Sequence, residues 1–252
     1  MGHLRRFLAG GLVGAVALVA GCSGPQFGPD ARVPVSRRYV IADGSPAGQS
    51  LKLPGSSGFN IHIKQSRQDP GAAGEARSTA DATAQGEAFA QATVSKGASA
   101  QAEFKLGHRI DNHAGGAQMM AARIAFDLEQ TVDASDPPDP ATLAKADLHL
   151  LVIDSHKRVV SKTVVVQANS DESRGSASLP QRRDLTVRLE PGESYDVVLY
   201  ARVEASAGEG QTAEVRLQVS RLEMELTFSP AAEPPSATQP GAVPPVAAGP
   251  AA

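Results

Sequence analysis

The sequence predicts an all-β fold, an antiparallel β-sandwich of immunoglobulin-like or jelly-roll-like type. Three observations predict it. From Phe59 onward, apolar residues recur with a period of two rather than 3.6. Clusters of Gly, Pro, Ser and Asp punctuate those stretches at short intervals. Aromatic residues make up only 4% of the 252 and Trp is absent, so the core must come from Val, Leu, Ile and Ala. At this length, with 41% hydrophobic residues, the chain is ample for a packed core. One apolar and one polar face per strand is the mark of antiparallel sheets.

The strands follow in order. After the loop Pro54-Gly55-Ser56-Ser57-Gly58, Phe59, Ile61 and Ile63 alternate with Asn60, His62 and Lys64. Residues 76–103 are mostly Ala, Ser, Thr, Gly and Gln. Alanine favours helix by propensity, yet the alternation and the break at Lys96-Gly97 predict two strands with small side chains. Ala100, Ala102, Phe104, Leu106, His108 and Ile110 share one face. Met120, Ala122, Ile124, Phe126 and Leu128 share another, with Arg123, Asp127 and Glu129 opposite. Leu148, Leu150 and Val152 precede the turn Asp154-Ser155-His156-Lys157, and Val159 to Val166 follow it. Tyr195, Val197, Leu199, Ala201 and Val203 line up, as do Ala213, Val215, Leu217 and Val219. In that last strand the phase then slips, and Leu222, Met224, Leu226 and Phe228 become the apolar set. A one-residue slip would turn a straight strand inside out. A β-bulge at Ser220-Arg221, or a bend crossing between sheets, would absorb it.

The segment Leu189-Glu190-Pro191-Gly192-Glu193-Ser194-Tyr195 resembles the tyrosine corner of fibronectin type III and other immunoglobulin-like sandwiches. The resemblance implies a strand through Leu185, Val187 and Leu189, a tight turn at Pro191-Gly192, and a Tyr195 hydroxyl bonded back to the preceding backbone. It also implies that residues 194–205 and 211–228 form a final hairpin. Some ten or eleven strand candidates exceed the roughly seven of a constant-type immunoglobulin domain, so a jelly roll is equally compatible.

The N-terminus carries an address. Arg5 and Arg6 precede an apolar run from Phe7 to Ala20, too short to span a bilayer as a helix and suited to a secretory signal. It ends in Val19-Ala20-Gly21-Cys22, which resembles the lipobox of bacterial lipoproteins. The resemblance implies a signal peptide over residues 1–21, diacylglycerol on the Cys22 thiol, and acylation of the new amine. Two or three acyl chains hold a protein to a membrane where one does not. Ser23, rather than Asp, implies sorting to the outer membrane. Residues 22–57 are assigned to the lipidated cysteine and a Gly/Pro/Ser-rich tether, and 58–230 to the sandwich. Residues 231–252, rich in Pro and Ala, form an extended tail expected to be disordered.

Chemistry is sparse. A formal charge of −3 and a pI near 6.1 argue against nucleic acid as a partner. The single Cys excludes internal disulfides and multi-cysteine metal sites. There is no Walker loop, G-x-S-x-G, H-E-x-x-H or dinucleotide fingerprint. His108 reads as a core histidine, and His113 beside Asp111 is an exposed alternative. Asp133, Asp136 and Asp139 form the most metal-like cluster, though aspartate beside proline is ordinary turn chemistry. No cofactor is expected. Tyr39 and Tyr200 are the aromatics left to face outward for ring stacking. The expected function is therefore a non-catalytic binding or structural module of the cell envelope. Its partners would be the membrane, through the lipid, and another envelope protein. The alternatives are a subunit of a secretion or surface-assembly machine, which needs an open sheet edge, and an envelope hydrolase or metal-dependent enzyme, which needs His108 or His113 to converge with acids.

Overall fold

The computed structural model describes residues 37–135, 140–171 and 174–232. They form the strands β1 (Tyr39–Ile41), β2 (Gln49–Leu53), β3 (Ile61–Asp69), β4 (Glu75–Ala82), β5 (Ala88–Ser95), β6 (Ser99–Asn112), β7 (Gln118–Ala134), β8 (Leu143–Asp154), β9 (Val159–Asn169), β10 (Gly175–Leu189), β11 (Ser194–Ser206) and β12 (Thr212–Pro230).

Eight of these set the architecture. One sheet runs β5-β12-β7-β10 and the other β6-β11-β8-β9. Chain order thus crosses repeatedly between the sheets, and this is the strand order of a jelly roll. In the β12 sheet, β4 flanks β5 and β2 also pairs with β12. In the β11 sheet, β3 and β1 share the outer side of β6. Every pairing is antiparallel except β1 with β6.

This order corrects the expected final hairpin. β11 pairs with β6 and β8, whereas β12 pairs with β7, β5 and β2, so the two lie in opposite sheets. The tyrosine corner itself is present where the chain crosses from β10 to β11. The Glu190 backbone N–H donates to the Tyr195 hydroxyl at 2.8 Å, and Gly192 takes φ +78° in the turn. Asn112, fully buried, completes the corner. Its side-chain amide donates to the carbonyls of Leu189 and Glu190 at 3.1 Å each, and its backbone carbonyl accepts from Gly192 at 2.7 Å.

Residues 76–103 are strands, as expected, but they fall into β4, β5 and the start of β6. The Lys96-Gly97 break is a turn with positive φ at both residues. A second turn, closed by Thr83 N–H to the Glu87 carbonyl, divides the earlier part. The phase slip in β12 is a register shift between Ser220 and Glu223 against β7. Arg221 absorbs it at φ +54° and pairs with Asp127. The bulge keeps Val219, Leu222 and Met224 all in the core.

The folded unit also begins earlier than residue 58. β1 and β2 lie in the stretch assigned to the tether, and Ile41 and Leu53 are buried. Tyr39 stacks on Phe228 with ring centroids 5.2 Å apart. Inner faces alternate as anticipated, with Phe59, Phe104, Phe126, Phe228 and Tyr195 all inside. Toward the Ser99 and Ser206 ends the core thins to Ala100, Ala102, Ala144, Ala146 and Ala205.

Both flanks are stitched across the sheets. On one, Ser78 Oγ donates to the Arg67 carbonyl and Gln68 Nε2 to the Ser78 carbonyl, at 3.0 and 3.1 Å. On the other, an Arg183 Nη2–H donates to the Val165 carbonyl at 3.4 Å. There β9 carries two register shifts against β8, and its neighbour β10 contains Pro180. Bulges, proline and charge are the usual means of keeping an edge from pairing with another chain.

Candidate functional site: the outer face of the β11 sheet

The outward residues of this sheet stand in cross-strand rows. One row is Ile61, Gly107, Val198, Leu151 and Lys162. The next is Ile63, Lys105, Tyr200, His149 and Val164, and then Gln65, Glu103, Arg202, Asp147 and Gln167. Arg67, Gln101, Glu204, Lys145 and Asn169 complete the series. The face therefore grades from apolar to polar along the strands.

The polar half is a hydrogen-bonded network. The Tyr200 hydroxyl donates to Glu103 Oε2 at 2.6 Å. Arg202 pairs with Glu204 and donates to Gln101 Oε1 at 3.3 Å. Lys145 and Asp147 pair at 2.9 Å. The rows end in a cleft of about 320 Å³ bounded by Arg67, Asp69, Ser99, Gln101, Glu204 and Ser206 over a small apolar floor. Burial raises the Tyr200 phenol above its ordinary value, and the Glu103 carboxylate adds to the rise. Burial likewise lowers His149, and Lys162 contributes in the same direction. Both residues are thus neutral at pH 7; the Tyr200 hydroxyl acts as a hydrogen-bond donor, whereas the buried His149 Nδ1 has no hydrogen-bond partner among the described residues.

A second depression, about 760 Å³, lies on the outside of the β12 sheet beside the bulge. It follows a ladder of alternating charge, Asp184, Arg123, Glu225 and Lys52, one residue from each of four adjacent strands. Arg123–Asp184 and Lys52–Glu225 are exposed ion pairs at 3.1 and 3.3 Å, of a kind that contributes little.

The sequence candidates separate in space. His108 points into the core and Asp111 to the opposite side of β6, where Arg38 pairs with it at 3.5 Å. His113 is exposed in the turn after β6, and its backbone N–H donates to the Ile41 carbonyl. No nucleophile, base and acid converge there. Asp133 is exposed on β7, while Cys22, Asp136 and Asp139 lie outside the described residues. Among the described residues, no three His, Cys, Asp or Glu are grouped as metal ligands. Tyr200 is a correction: at 2% exposure it cannot stack on a ligand ring. Every aromatic ring among the described residues is buried or half-buried. In the turn Asp154–Lys157, burial alone would raise the Asp154 carboxyl. The backbone N–H groups of Arg158 and His156 and the Arg158 guanidinium instead hold it below the usual range.

No family model and no curated protein matches the chain. Among solved structures it is similar to carbohydrate-binding modules of the β-sandwich superfamily, with 14% identity over 73% of this chain and 62% of the other, at a TM-score of 0.24. It is also similar to the xylan-binding domain CBM22-1 of Paenibacillus barcinonensis Xyn10C, with 12% identity, 76% and 100% coverage, and a TM-score of 0.23. The family 11 carbohydrate-binding module of Clostridium thermocellum, solved with a mixed-linked tetrasaccharide, shows 12% identity, 69% and 96% coverage, and a TM-score of 0.23. The chain spans less than two thirds of the first of these. Similarity at this level assigns no ligand, and the fold rests on the strand order described above.

Proposed function

We propose that this chain is a lipoprotein of the bacterial outer membrane whose jelly-roll domain is a non-catalytic binding module for another envelope protein. The observation that carries the binding half is the polar outer face of the β11 sheet. It presents matched donors and acceptors around a shallow cleft and no reactive constellation. Gln101, Ser99, Ser206, Arg67, Asp69 and Glu204 suit hydrogen bonding to a polar peptide surface. The lack of an exposed ring among the described residues does not suit sugar stacking. The anchoring half rests on the Val19-Ala20-Gly21-Cys22 motif.

Crosslinking in intact cells, followed by capture, tests the binding half. A specific envelope protein is expected, lost in the double variant Arg67→Glu, Glu204→Arg with the fold intact by circular dichroism. Capture unchanged by that variant would remove the cleft from the proposal. A role as a strand-accepting assembly subunit is less favoured, because both flanks are stitched at Val165, Arg67 and Ser78.

A further inference from the structure

Five large apolar side chains stand exposed among the described residues, and three of them, Val159, Val160 and Val164, fall within six residues of β9. They are 38%, 42% and 49% exposed, and cations surround them. Residues 156–183 carry six Lys and Arg against two Asp and Glu, whereas the whole chain stands at −3. The acids bordering this stretch are engaged: Asp154 with Arg158 at 2.7 Å, Asp184 with Arg123 at 3.1 Å, and Glu190 with Arg188 at 2.9 Å. Arg183 donates instead to the backbone carbonyls of Arg182 and Val165, which do not neutralise it. Asp171 is exposed past the far end of β9, beyond Asn169. The rim formed by β9 and β10 is thus a basic, partly apolar strip on an acidic protein.

Two bulges aim this strip. The register of β9 against β8 shifts between Leu148 and His149 and again between Val152 and Ile153, leaving Val165 and Val160 as the extra residues. In a straight strand Val160 would share a face with Lys162 and Val164, and Val159 would turn inward. The shifts instead set Val159, Lys162 and Val164 on the outer side, opposite Ile153, Leu151 and His149. They also interrupt the hydrogen-bond ladder, so this edge offers side chains rather than a template for another strand. Neither hollow described above is lined by a β9 residue. A charged and apolar rim without a pocket suits a flat, extended partner.

We propose that this rim is a second membrane contact, seating the Lys157–Val164 stretch against anionic lipid headgroups. Valines reach the headgroup boundary, while Lys and Arg lay their stems along apolar surface and place their charges among phosphates. Each cation near an anionic leaflet adds an attraction that fades within a Debye length. So small a strip binds weakly by itself, and a lipid tether would make the contact intramolecular and persistent. That reinforcement rests on the anchor proposed above; the rim's preference for anionic lipid does not. Orientation follows from the strands. β9 begins at Val159 beside the Asp154 turn, and the cleft of Arg67, Ser99 and Ser206 lies at the opposite end of the sheet. A domain seated on Lys157–Val164 holds that cleft away from the bilayer.

The absence of Trp makes the test direct. Val164→Trp, with Val159→Trp as a second site should the first fail to fold, gives the full chain a single indole on the rim. Thr79→Trp places one on exposed β4, at the opposite edge of the β12 sheet. Each protein is mixed with excess vesicles of brominated phosphatidylcholine, alone or with brominated phosphatidylglycerol. With the anionic lipid, the rim indole should be quenched at least about twofold more than the β4 indole. That excess should vanish in high salt, and in the double variant Lys157→Glu, Lys162→Glu. Equal quenching at the two sites would overturn the proposal, as would an excess indifferent to anionic lipid and to charge reversal. A rim indole that lipid leaves unquenched but polyglutamate shifts would overturn it too, and would assign the strip to an acidic protein. Flotation with neutral vesicles reads the anchor separately: its loss with the rim signal intact counts against lipid at Cys22 alone.

Discussion

His108 sits on the inner face of β6 at 3% exposure, between Leu106 and Ile110 and opposite Val197. Its Nδ1 has no hydrogen-bond partner. Burial pushes its pKa down from 6.5 to about 4. The unfolded chain therefore binds a proton at this side chain more readily than the folded one, so stability is retained above pH 6.5 and lost as pH falls toward 4. At about 1.4 kcal/mol per unit, the loss is about 2 kcal/mol at pH 5 and approaches about 3 kcal/mol below pH 4. His108→Leu should remove that component. At pH 7.5 the variant should lie within about 1.5 kcal/mol of the parent, since the volume is nearly kept and an orphan polar atom is lost. Urea unfolding of both proteins at pH 7.5 and pH 5, followed by circular dichroism, gives the difference directly. Carboxylates such as Asp154 and Asp81, also held below their ordinary values, add acid sensitivity to both proteins and cancel. The same pH dependence in parent and variant, or a His108 ring titrating near 6.5 by NMR, would refute the reasoning.

Other residues make comparably specific predictions. A Cβ on Gly107 would lie 2.0 Å from the Val197 carbonyl oxygen and 2.7 Å from Val198 Cα. Gly107→Ala must then push β6 from β11 and cost about 3 kcal/mol, so a melting temperature unchanged within error would contradict that geometry. Tyr195→Phe leaves the Glu190 N–H without its partner and should cost about 1–2 kcal/mol in denaturant unfolding, with no loss if the corner is held by Asn112 alone. Arg221→Gly should stabilise by about 1 kcal/mol, because relief of the left-handed backbone outweighs a pair with Asp127 whose arginine is 80% exposed. A destabilised variant would show that the pair, not the backbone, dominates the bulge.

Alternation made the long central strands legible, since each has one face against the core. The bulge was legible for the same reason: the Val219 to Leu222 slip has only a few physical remedies. Three things were not. β1 and β2 have three and five residues, too few for a period to register. The first half of β10 is an edge, open on both faces and interrupted by Pro180, so its polar sequence reads as loop. The partner of β12 is a tertiary choice that a short connection after β11 does not settle. Tyr200 was misplaced because alternation assumes an open outer face. The apolar runs through Leu151 and Val198 were the available sign that these strands bury side chains on both faces. Of the candidate site, Glu103, Arg202 and Glu204 became visible only through cross-strand register.

The account centres on a jelly-roll domain carried by lipid at Cys22. Mass spectrometry of the N-terminal peptide from protein purified out of native membranes tests this most directly. The account predicts a chain beginning at Cys22 with a diacylglycerol-type adduct on sulfur and an acylated amine. A chain retaining Met1, or a Cys22 with a free thiol, would contradict it.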